Sequence, residues 1–81
     1  MKPRFTPEQH VEVGKRLGDA RFVIATLATE LANAYPHNSA AVRLAHSATR
    51  TLDKLRCELD SVSAREMTAE QWSPLIYYGN P

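Results

Sequence analysis

Two runs of apolar residues, stepped alternately by three and four and separated by a proline, constrain this chain more than any other feature. Val13, Leu17, Ala20, Ile24, Leu27, Leu31 and Ala34 form the first run, and Ala41, Ala45, Ala48, Leu52, Leu55, Leu59 and Val62 the second. Such steps hold one stripe of a helix against a partner helix. Pro36 lies between the runs and disfavours helical geometry at Tyr35. Two helices joined by so short a break fold back antiparallel, as an αα-hairpin. Counting outward from the turn sets Leu27 and Leu31 opposite Ala41, Ala45 and Ala48, and Ala20 opposite Leu52 and Leu55. Large residues then meet small ones.

Local signals fix the ends. Thr6-Pro7-Glu8-Gln9 is a capping box with proline at the first helical position, where no amide donor is needed. It opens a first helix over about residues 7–35, followed by a turn at 36–38. Asn38 or Ser39 caps a second helix over about 39–65, because the apolar stripe runs unbroken to Val62 even though Ser63-Ala64-Arg65-Glu66 also fits a capping pattern. Thr68-Ala69-Glu70-Gln71 repeats that pattern and predicts a short helix over about 69–73, closed by Ser73-Pro74 and leaving an aromatic tail at 74–81. The expected fold is all-α: one domain of 81 residues built on an antiparallel helical hairpin.

The two long helices differ in their remaining faces. Helix 2 has charge around most of the rest of its circumference. Helix 1 carries a second, smooth stripe beside its heptad: Gly14, Gly18, Ala25, Ala28 and Ala32, interrupted by Arg21 and edged by Phe22. A helix apolar over more than half its surface is built to be covered on two sides. The C-terminal segment could fold over the second side, or a second copy could pack there and make a two-fold four-helix bundle. A hairpin with ten or so large side chains in its seam is weak alone, and a homodimer is expected. The pattern is similar in outline to the small dimeric hairpins of the plasmid RNA-binding Rop type, a likeness of fold that carries no function with it.

Composition narrows the function classes. Ten Lys and Arg against nine Asp and Glu leave a net charge of +1, without the basic surplus of a dedicated nucleic-acid or anionic-membrane binder. The single cysteine excludes an intramolecular disulfide, and the longest apolar run, Phe22-Val23-Ile24-Ala25, is far too short for a membrane span. A cytoplasmic chain is expected.

His10, His37 and His46 share no helical turn and have no familiar zinc spacing, so they are taken as solvated or capping residues, with no metal or cofactor. Cys57 lies on the outer face of helix 2 near Lys54 and Arg56, with no histidine within a turn to act as a base, and is taken as an exposed thiol. Arg43, Arg50 and Lys54 form a basic stripe that could contact anions. Acidic residues interleave with it, and Lys54–Glu58 and Arg56–Asp60 are spaced as i,i+4 pairs.

The tail holds the strongest interaction signal, since Trp72, Leu75, Ile76, Tyr77 and Tyr78 are the residue types that anchor interfaces. Covering the chain's own hairpin is the alternative use of the same residues. With no catalytic constellation visible, the expected function is a small protein-binding module, an inhibitor or regulator of a partner protein. The alternative is a dimeric nucleic-acid binder using the basic face of helix 2.

Overall fold

The computed structural model, which describes residues 4–78, is all-helical: α1 spans Pro7–Ala34, α2 spans Ala40–Glu66 and α3 spans Leu75–Tyr78. The caps explain the boundaries. Thr6 Oγ1 accepts from the Gln9 amide at 3.1 Å while Gln9 Oε1 accepts from the Thr6 amide at 2.8 Å, completing the capping box of α1. Tyr35 adopts extended geometry ahead of Pro36 and ends the helix. The Ser39 amide bonds back to the Pro36 carbonyl at 3.0 Å, and its hydroxyl caps α2. α1 and α2 pack against each other as the expected hairpin.

The seam is rotated from the expected heptad. On α1, after Pro7, the buried and half-buried positions are His10, Val13, Gly14, Leu17, Gly18, Arg21, Ile24, Ala25, Ala28, Leu31 and Ala32. On α2 they are Val42, Ala45, Thr49, Leu52, Asp53, Arg56, Leu59, Asp60, Val62, Ser63 and Glu66, with Met67 buried just past its end, so that Ala45, Leu52, Leu59 and Val62 keep the expected heptad. The small-residue stripe expected to need a second partner is covered within the chain: Ala28 is buried, Ala25 and Ala32 are half-buried, and Gly14 is met by the Ile76 backbone of the C-terminal segment, one of the two covers expected for it. Leu17, Ile24 and Leu31 border both stripes and serve either arrangement. Ala20, Leu27 and Ala34, with Ala41, Ala48 and Leu55, belong to the expected seam but are exposed. Phe22, expected to edge a packed stripe, is 66% exposed.

The chain after α2 also differs. The second capping box forms, with Gln71 N donating to Thr68 Oγ1 at 3.3 Å and Thr68 N to Gln71 Oε1 at 3.2 Å. It organises a single turn in place of a helix over 69–73, because Pro74 disfavours helical geometry at Ser73. Helix starts again beyond the proline, where Ser73 Oγ accepts from the Leu75 amide at 3.1 Å. α3 then lies across α1 and α2. Residues 79–81 of the expected tail fall outside the described residues.

Among the described residues, only Leu17, Ala28, Val42, Met67 and Tyr77 form the buried apolar core. The Cα radius of gyration is 15.3 Å, against about 12 Å for a globular domain of this length. The hairpin is long and thinly cored.

Candidate functional site

Three places could carry function: a buried polar cluster, an open apolar face and a basic flank. The first joins the start of α1 to the chain's end. His10 is completely buried, where sequence reasoning placed a solvated or capping residue. Its Nε2 lies 2.8 Å from Glu66 Oε1 and its Nδ1 lies 2.7 Å from the Tyr77 hydroxyl. A carboxylate only accepts, so the neutral ring carries its proton on Nε2 and accepts from the phenol at Nδ1. Phe5 closes the site edge-on at 5.3 Å between ring centroids. Burial, with the Glu66 and Asp60 carboxylates close by, pushes the Tyr77 phenol above its ordinary value.

A carboxylate, an imidazole and a hydroxyl in line have the order of a proton relay, yet Tyr77 is only 2% exposed and its hydroxyl does not face solvent. What the cluster does chemically is fasten the tail. Trp72 Nε1 adds a hydrogen bond to Ser63 Oγ at 3.2 Å, and the Arg56 guanidinium lies 5.3 Å over the Tyr78 ring. A Cβ at Gly14 would overlap the Ile76 carbonyl oxygen, which accounts for one helical glycine. The segment expected to dock a partner through Trp72, Leu75, Ile76, Tyr77 and Tyr78 is thus folded onto its own hairpin. Leu75 and Tyr78 stay exposed at its outer edge.

Arg21, the residue breaking the smooth stripe, reaches across the hairpin to Asp53, with Nε–Oδ1 at 2.5 Å. That hydrogen bond holds the Asp53 carboxyl below the ordinary carboxylate range. The remaining ion pair of the described residues, Arg65–Glu58 at 3.9 Å, is exposed. The expected Lys54–Glu58 and Arg56–Asp60 pairs are not made. Arg56 turns toward Tyr78 instead, and Arg56 Nε and Asp60 Oδ1 are shielded without hydrogen-bond partners.

The apolar face is what the rotated seam leaves behind. Val23 is 62% exposed, Leu27 44%, Leu44 69% and Leu55 45%, with Ala20, Ala41 and Ala48 exposed between them. At 100° per residue these positions fall to one side of the buried stripe on each helix, and the antiparallel direction brings the two sides together. Gly14, Asp60 and Ser63 face the other way, or along the seam, so α3 covers the opposite surface.

Arg43 and Arg50 border a shallow depression on α2 with Ala40, Leu44 and Ser47. Neither arginine has a carboxylate within 4 Å among the described residues. Lys54 stands one turn further along and is exposed, as is the free thiol of Cys57. Among the described residues no three of His, Cys, Asp and Glu group as metal ligands, and no helix is long and apolar enough to cross a membrane. No family model, curated protein or solved structure matches this chain.

Proposed function

We propose that this chain is a protein-interaction module without catalytic chemistry of its own, and that it works through the open face of its hairpin. The observation that carries the reading is the cluster of Val23, Leu27, Leu44 and Leu55 exposed on one side of two packed helices. Contiguous apolar surface of this kind is characteristic of docking sites. The fastened tail supports the same reading, because it closes one side of the hairpin and leaves the other for a partner. A four-helix bundle is the assembly such a face favours, as helices find stable packing in two layers.

The experiment compares protein captured by the wild-type chain with that captured by Leu44→Asp and, as a control on the opposite side, Phe22→Asp. Retention of a protein, a tagged second copy included, that survives Phe22→Asp and is lost with Leu44→Asp is the expected result. If nothing retained depends on Leu44, the reading fails.

A second reading, nucleic-acid binding, is favoured by Arg43, Arg50 and Lys54 on α2, none of which is ion-paired among the described residues. It requires affinity that falls steeply with salt, by a slope that shrinks when Arg43 and Arg50 are replaced by alanine.

A further inference from the structure

Resting on the interaction-module reading, we infer that the open face is covered by a second copy of this chain, related by a two-fold axis parallel to the helices so that α1 of each copy lies antiparallel to α2 of the other. Three observations point to that occupant.

The first is area. The chain exposes 6054 Å², about 1,200 Å² more than the roughly 4,900 Å² expected of a folded monomer of its 9.1 kDa. A standard interface removes about 800 Å² from each partner. The surplus is of the size that a dimer consumes.

The second is shape. His10 is level with Glu66 and Arg21 with Asp53, so position i of α1 lies beside about position 75 − i of α2. The proposed symmetry preserves levels, and the same rule governs contacts between α1 of one copy and α2 of the other. It sets Leu27 against Ala48 and Ala20 against Leu55, large into small on both sides. These positions recur every seven residues and continue the heptad whose other half is used inside the hairpin.

The third is charge. By helical angle the outer rim of the face carries Glu12 and Glu30 on α1 and Arg43, Lys54, Glu58 and Arg65 on α2, while Arg16 stands within the face between Val23 and Leu27. The level rule brings Glu12 to within two positions of Arg65, Arg16 to within one of Glu58 and Glu30 to within two of Arg43 across the two copies. All three juxtapositions unite opposite charges, and the symmetry makes each of them twice. Of the six juxtaposed residues, Glu58 and Arg65 are already paired within the chain, at 3.9 Å on the exposed surface, and that pair is exchanged for the contacts across the two copies. Rim complementarity of this kind fixes register and orientation.

Sedimentation equilibrium of the full chain, with circular dichroism to verify folding, tests the assignment. The expected particle has twice the 9.1 kDa chain mass. Leu27→Asp and Leu44→Asp each return it to the chain mass with helix content retained. Glu30→Arg and Arg43→Glu each raise Kd by about tenfold or more, because each brings like charges together at both ends of the dyad. Combined in one chain they restore Kd to within about threefold of wild type, since the pair is re-formed with its signs exchanged.

A wild-type chain at monomer mass throughout the micromolar range overturns the inference, as does a dimer indifferent to both leucine substitutions. A dimer that needs the leucines but shows no rescue in the double charge variant overturns the pairing of unlike helices. If the chain stays monomeric while Leu44→Asp abolishes capture of another protein, the second copy is excluded and the interaction-module reading survives.

Discussion

His10 and Tyr77, separated by 67 positions, are joined by a 2.7 Å hydrogen bond in the interior of the protein. That bond ties the first turn of α1 to the last described turn of the chain, and Glu66 at the other ring nitrogen adds the end of α2. Three chain segments therefore depend on one imidazole.

Removing the phenol oxygen alone tests this dependence. Tyr77→Phe keeps the ring and its edge contact with His10 but leaves the buried Nδ1 without a partner. An unsatisfied buried group costs about 1–3 kcal/mol, and each kcal/mol lowers Tm by about 4–8 °C in a domain of this size. Thermal unfolding followed by circular dichroism should show a fall in that range, and an unchanged Tm would remove the fastening role.

Gly14→Ala reverses the usual rule for exposed helix interiors, where alanine is better than glycine by about 1 kcal/mol. The added methyl overlaps the Ile76 carbonyl oxygen, so α3 must shift or leave. The variant should be less stable than wild type, and Trp72 fluorescence should move to the red as its bond to Ser63 loosens. A more stable variant with unchanged emission would contradict the close approach.

The hairpin, its caps and its turn were legible because each is written in residues close together in sequence. Thr6 and Gln9 are three apart, and so are Ser39 and Val42. The rotation of the seam was not legible in the same way. Helix 1 is apolar or small over so much of its circumference that two neighbouring stripes satisfy the periodicity equally, and only the fit against α2 decides between them. His10 was missed for a related reason, since its partners lie 56 and 67 positions away and leave no periodic trace. A signal existed nonetheless. Extending the small stripe back from Gly14 by four residues reaches His10, and forward from Leu17 by four reaches Arg21. Two polar residues on a buried stripe require polar partners on the facing helix, and Glu66 and Asp53 lie at the matching levels.

Acid should weaken the hairpin through Asp53. Its carboxyl titrates below the ordinary range in the folded chain, owing first to the Arg21 hydrogen bond, so its contribution is complete above the unfolded carboxylate value and is lost as pH falls through the folded one. Both side chains are more than a third exposed, and solvent screening keeps the effect small. Denaturant midpoints measured from pH 6 down to pH 2 should fall more for wild type than for Asp53→Asn. Parallel acid limbs in the two proteins would show that the pair contributes nothing.

Alkali should act at the end of the hairpin remote from its turn. The Tyr77 phenol titrates above its ordinary value in the folded chain, chiefly because burial disfavours the phenolate and then because Glu66 and Asp60 are near. A group whose folded value is raised contributes fully below its unfolded value, about 10, and its contribution is lost as pH climbs through the folded one. Ionisation also removes the proton donated to His10 Nδ1 and sets a second anion beside Glu66. Stability measured by denaturant should stay flat with respect to this group up to about pH 10 and decline above it. Trp72 emission should report release of the tail over the same interval. In Tyr77→Phe the decline should be shallower, since the buried phenol no longer contributes and Tyr78, raised by its own partial burial, is the more exposed of the two. Equal alkaline limbs in wild type and Tyr77→Phe would mean that the buried phenol does not govern how the chain's end is held.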